Sequence, residues 1–255
     1  LPDEEKARHS REIHRRICCH FGEEAYAALS DDANVNADLF IWMGCCMHKD
    51  LNATKGGDWR MTRWWATQGL TGPICLMNKD NSTAASLGPS AAAQRAEDVS
   101  QGGAVKAVSL MGVVLKNRDH KKGQQDLVGI FTEHKLGYPI RFPQTNNTCF
   151  QSHSRASEVV FLHTDLWIEF FDSIRDKKDS QTLNHIELNV YKALHDIPTL
   201  TEMAVHTIYS QTVSIPFSHA THQQGANMLD LGPVHEHVKA HCRAVISNPN
   251  IILAS

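Results

Sequence analysis

The segment Gly44-Cys45-Cys46-Met47-His48-Lys49-Asp50-Leu51-Asn52 puts thiol, imidazole, ammonium and carboxylate groups within nine residues. Cys45 and His48 are three apart, so on a helix they occupy neighbouring positions of one face and can meet each other or a third group. Two accounts compete for them: a catalytic or ligating pair, or a buried cysteine beside a hydrogen-bonded histidine. A closed zinc site needs four ligands, of which C-x-x-H supplies two. His48-x-Asp50 also has the H-x-D form that opens a two-histidine, one-carboxylate iron site, with Asp50 as the carboxylate and the second histidine downstream.

His235, His237 and His241 form a second cluster, and His237 and His241 stand at i, i+4, a spacing that can chelate a metal on a helix. Val-Lys-Ala lies between them rather than the glutamate of a zinc metalloprotease, and a solvated polar helix face accounts for the same pattern. Asp119-His120-Lys121-Lys122-Gly123 offers two lysines for phosphate, or an ordinary charged loop. There is no P-loop, no dinucleotide fingerprint and no G-x-S-x-G elbow, which removes support for common nucleotide enzymes and serine hydrolases.

The elements that must position these groups read as helices. Residues 3 to 20 carry Ile13 and Ile17 at helical spacing, residues 23 to 29 continue the bias, and Ser30-Asp31-Asp32 interrupts it and caps the next helix. The apolar stretch Leu39 to Met47 predicts a largely buried helix over 35 to 53 that stops before Gly56-Gly57, with C-x-x-H near its end. A short amphipathic helix over 60 to 70 follows, then a turn at 69 to 73, an extended Ile74 to Met77 and a polar excursion at 81 to 103. Residues 105 to 115 are apolar and small, residues 127 to 136 are again amphipathic, and residues 138 to 148 are a loop. Three long helices are expected at 153 to 178, 182 to 195 and 199 to 214, the last opened by a Thr199/Glu202 capping box. A polar loop covers 216 to 227, and Pro233 opens a final helix to about 247. The fold class is therefore mainly α, with an N-terminal helical region at 1-150 and a C-terminal one at 151-255.

The 255 residues include 42% hydrophobic and 21% charged side chains with a net charge of -3, an ordinary globular composition that demands no polyanionic partner. Sixteen histidines place much of the titration near neutral pH. No apolar run reaches the roughly 18 residues of a membrane span, so no membrane partner is expected. The first residues, LPDEEKARHSREIHRR, lack the apolar segment of a secretory signal. Seven cysteines, with two adjacent pairs, make a poor disulfide framework, so free thiols and an intracellular location are expected.

LFIWMGCCMHKDLN, followed in order by KGG, LMNKDN, AAAQRAE, GGAVK, KKGQQD, NTCFQSH, ALHDIPTLTE and LDLGP, resembles transposon-associated open reading frames of mushroom-forming fungi. CCMHKDLN is similar to the C-x-x-H-x-L-N segment of hAT-type transposases with a ribonuclease-H-like core, with one extra residue before Leu51-Asn52. NTCFQSH is similar to their Thr-Arg-Trp-Asn-Ser segment, with Cys149 in place of the arginine. The resemblance implies magnesium held by three carboxylates, His48 as a helper near the scissile phosphate with Cys45 beside it, and Phe150 stacking on displaced DNA. Lys121, Lys122 and Arg155 would supply weak phosphate contacts, and the location would be nuclear. Residues 1 to 44 show no strand ending in aspartate, so the chain is similar to the later, helix-rich part of such an α/β protein, inactive alone. It would lack an upstream segment or act as a homo-oligomer. Two other functions stand beside this one: a non-catalytic helical binding or assembly module, and a non-haem iron oxygenase using His48 and Asp50.

Overall fold

Long polar side chains interleaved with alanine and leucine favour helix, and side-chain caps decide where each helix starts. The computed structural model describes residues 3–38, 45–116, 123–145 and 151–252. It is helical with no strand among them, and the sole sheet-like feature is an isolated bridge between Cys75 and Gly102. The chain divides into two compact units, Leu1–Met43 and Gly44–Ser255.

The first unit holds α1 (Asp3–Ala27) and α2 (Asp31–Asp38). Asp3, Glu4 and Glu5 occupy the first turn of α1, where the helix dipole favours acids. Glu12 bonds both Arg15 and Arg16 one turn on. The Ser30 hydroxyl accepts from the Ala33 N–H at the start of α2, and the Tyr26 hydroxyl donates to Asp38 Oδ2 at 2.5 Å, tying the two helices together. α1 buries none of its 25 residues.

The second unit is built around α6 (Gly103–Lys116), whose Ala104, Ala107, Val108, Met111, Val114 and Leu115 are buried. Packed against it are α8 (Ser152–Leu162), α10 (His185–Leu194) and α11 (Ile197–Tyr209). α9 (Thr164–Lys177) adds Trp167, Phe170 and Phe171, edge to face with one another, and α7 (Gln125–Leu136) sets Phe131 against Phe170. α7 stops at Gly137, whose φ of 80° is the left-handed stop that favours glycine. α4 (Lys79–Ser86) and α5 (Ala91–Asp98) are capped by Asn78 and Ser90, and α10 by an Asn184/Glu187 capping box. A π-helical turn over Ser210–Ser214 joins α11 to α12 (Ile215–Thr221), and α13 (Gly232–Ser247) opens on Gly232-Pro233 with the proline in its first turn, as the sequence indicates.

Several boundaries differ from the sequence expectation. Instead of a helix over 35 to 53, α3 (Cys46–Thr67) begins at Cys46 and runs through Gly56-Gly57, absorbing the helix expected from residue 60. Each glycine costs about 1 kcal/mol within a helix, and the good helix formers on either side outweigh the pair. C-x-x-H thus opens a helix rather than closing one. Residues 39 to 44 lie outside the described residues. The pattern over 153 to 178 breaks at His163 into α8 and α9. The cap of α11 is Asp196 rather than Thr199, its carboxylate accepting from the Thr199 N–H at 3.0 Å. Residues 216 to 221, expected as loop, continue α12 because Phe217 is buried. The 150/151 division falls inside the second unit, where α6 packs against α8, α10 and α11 from beyond it.

No described helix is long and apolar enough to cross a membrane. Cys18, Cys19, Cys45, Cys46, Cys75 and Cys242 are free thiols, and Cys149 lies outside the described residues.

Candidate functional site

α3 and α11 each carry polar side chains at intervals of four residues, which on a helix makes a single stripe. On α3 the stripe is Asp50, Thr54 and Asp58; on α11 and its π-helical continuation it is Glu202, His206, Ser210 and Ser214. Asp50, Thr54 and all four of the second stripe are buried, as are His153 and Ser157, one turn apart on α8. The result is a polar seam running where three helices would ordinarily meet through leucine and valine.

The two stripes are joined at both ends, in antiparallel sense. At one end the Ser214 hydroxyl donates to Asp50 Oδ1 at 2.6 Å, and the Tyr209 hydroxyl approaches the same oxygen at 3.5 Å. At the other, Trp65 Nε1–H donates to Glu202 Oε1 at 2.9 Å and the Ala104 N–H donates to Oε2 at 3.0 Å. One carboxylate therefore ties α11 to α3 and to the first turn of α6. Gly103 is required beside it: its φ is +83°, and a Cβ there would lie 2.3 Å from Glu202 Oε2.

Burial sets the electrostatics of the seam. It pushes the Glu202 carboxyl above the usual carboxylate range, with Asp58 and Asp196 adding to the effect and the two donated hydrogen bonds opposing it. Burial, reinforced by the nearby His153, pushes His206 down to about 4, and burial lowers His153 as well. The Tyr209 phenol is raised by burial first and then by Asp50 and Cys242. Asp50 Oδ2, Ser154 Oγ, Ser157 Oγ, His206 Nε2 and Ser210 Oγ are buried with no hydrogen-bond partner among the protein atoms. The seam therefore holds neutral imidazoles and hydroxyls in the packing of three helices.

The sequence-predicted residues scatter around this seam. Cys45 flanks the first turn of α3 and is exposed, as is His48, so the shared buried or cleft-lining site expected of them does not form. Asp50, two residues on, is buried at 4% exposure and committed to Ser214, which separates it from His48 and undoes the H-x-D pairing. Lys49 Nζ donates to His235 Nε2 at 3.0 Å, bringing the start of α3 to α13. His237 is exposed, whereas His241 is half-buried with Nε2 enclosed and unpartnered. No group of three or more His, Cys, Asp or Glu among the described residues is arranged to hold a metal ion.

Of the residues assigned to nucleic acid, Arg155 is exposed on α8 and its Nε donates to Gln151 Oε1 at 3.2 Å. Lys121, Lys122 and Phe150 lie outside the described residues. The three carboxylates that the resemblance implies do not converge among the glutamates of the later helices: Glu169 pairs with Lys135 and Glu158 accepts from Gln211. Glu187 is buried as the capping-box acid of α10 beside Lys178, and Glu202 belongs to the seam. Motif reading missed His206, Ser210, Ser214, Thr54 and His153. The signal for them was present as the four-residue spacing of Glu202, His206, Ser210 and Ser214.

The chain matches no protein-family model, no curated protein and no solved structure.

Proposed function

We propose that the chain is a non-catalytic helical binding and assembly module, with α1 as its contact element. The observation that supports this is the uncovered stripe on α1: Ile13, Ile17 and Phe21 follow one another at intervals of four and are 58%, 48% and 63% exposed. Helices in proteins draw most of their stability from packing an apolar face, and α1 buries nothing. A 25-residue helix with isoleucine and phenylalanine in one line has the form of a surface waiting for a partner.

The seam fits the same role, because its bonds from Ser214 to Asp50 and from Trp65 to Glu202 hold α3 against α11. The metal-dependent DNA strand transfer implied by the transposase resemblance asks for carboxylates converging on ions about 4 Å apart. The buried acids instead serve separate joints: Asp50 with Ser214, Glu202 with Trp65, Glu187 with Asn184.

The triple variant Ile13→Glu, Ile17→Glu, Phe21→Glu tests the role of the stripe. At a dilution where the parent is monomeric, its Tm should equal that of the parent, since no surface buried within the chain is removed, while at higher concentration retention of binding partners or further copies on a sizing column should be lost. A Tm lower by several degrees would show that the stripe is covered within the fold itself and would end the proposal.

A further inference from the structure

The stripe on α1 extends beyond its apolar centre. Lys6, Ser10, Ile13, Ile17, His20 and Glu24 follow one another at steps of four, three, four, three and four, the spacing of a coiled-coil seam. The order along that seam is a cation, a small polar residue, two isoleucines, an imidazole and an anion, opposite in charge at its two ends. We infer that α1 pairs with α1 of a second copy of this chain, antiparallel, about a two-fold axis passing beside residue 15. This names the partner for the contact element proposed above and rests on that proposal.

The antiparallel arrangement is chosen by charge. About residue 15, Ile13 lies opposite Ile17 of the second copy, Ser10 opposite its His20 and Lys6 opposite its Glu24, and the two-fold axis makes each of these contacts twice. On the flanks of the seam His9 approaches Glu23 of the second copy, and Ala7 approaches its Phe21, giving that exposed ring apolar cover. A parallel pair would set Lys6 on Lys6, His20 on His20 and Glu24 on Glu24, with each like-charge approach unfavourable. The like-group approaches of the antiparallel pair are Arg16 on Arg16 and His14 on His14 at the seam's two edges; Arg16 Nε already donates to Glu12 Oε1 of its own helix at 2.9 Å, and His14 Nε2 lies 3.6 Å from Cys18 Sγ of its own helix. The charges the pairing needs are free to turn. Lys6 is held by Asp3 at 3.2 Å and Glu24 by His20 at 3.4 Å, both exposed contacts within the helix that contribute little.

Sedimentation of the full chain across a wide concentration range, with Lys6→Glu, Glu24→Lys and the double variant Lys6→Glu/Glu24→Lys, decides the matter. The parent should pass from monomer to dimer as concentration rises. Each single reversal turns two attractive contacts per dimer repulsive and should raise the dissociation constant about ten-fold. The double variant restores opposite charges and should return it to within about three-fold of the parent. A parent that stays monomeric at the highest concentration, with the melting of the triple glutamate variant unchanged, would overturn the second-copy assignment while leaving the contact stripe intact. A dimer indifferent to the single reversals, or one the double variant does not restore, would overturn the antiparallel pairing.

Discussion

Acid should weaken this protein through His206. The residue is 3% exposed on α11, its Nε2 has no protein partner, and burial with the neighbouring His153 holds it at about 4 against 6.5 for a free histidine. Above pH 6.5 the ring is neutral in both the folded and the unfolded chain and costs nothing. Between 6.5 and about 4 the unfolded chain takes up a proton that the folded chain refuses, so stability falls with pH across that window and levels off below it. The difference amounts to about 3 kcal/mol, a large share of the roughly 5–15 kcal/mol typical of a domain. His153 works in the same direction, whereas Glu202, with its carboxyl raised, works in the opposite one, losing stability as pH rises. Comparison with His206→Gln, which fills the site without titrating, isolates the single group. Urea unfolding at pH 7.5 and 4.5 should show the parent losing about 2 to 3 kcal/mol more than the variant over that interval. Equal losses in the two proteins would refute the burial of a neutral imidazole there.

Gly103→Ala should cost about 2 kcal/mol or more in urea unfolding, because the methyl group meets Glu202 Oε2 and the backbone at φ +83° disfavours any side chain. Asp196→Ala removes the acceptor of the Thr199 N–H, the Thr199 hydroxyl and the Ile74 N–H, and should lower stability by about 1 to 2 kcal/mol. His48→Ala should leave the Tm unchanged to within a degree in calorimetry, since the side chain is exposed.

The local chemistry of the helices is legible in the sequence at several ends marked by a cap or a proline, though not at α11, where Asp196 caps the helix in place of Thr199. Ser30 and Pro233 stand where they should, and the apolar run from 105 to 115 is the buried centre of α6. The start of α3 is not legible. The apolar run before Cys46 reads as the body of a buried helix and Gly56-Gly57 as its end, yet the helix begins after that run and passes through both glycines. The seam is hidden for a different reason. A polar residue every fourth position is what a solvated helix face also shows, and partners such as Trp65 and Glu202 or Asp50 and Ser214 are separated by 137 and 164 residues. Nothing local distinguishes a stripe facing water from one facing another stripe, whereas a C-x-x-H motif draws attention although Cys45 and His48 end up exposed.

Hydrogen exchange along α1, followed by mass spectrometry at rising protein concentration, tests the assembly role most directly. In dilute protein the amides of residues 3–27 should exchange far faster than those of α6, and they should gain protection as concentration brings second copies onto the stripe of Ile13, Ile17 and Phe21. Protection of α1 equal to that of α6 at the dilute limit would mean the helix is already covered within its own chain, and would contradict the account.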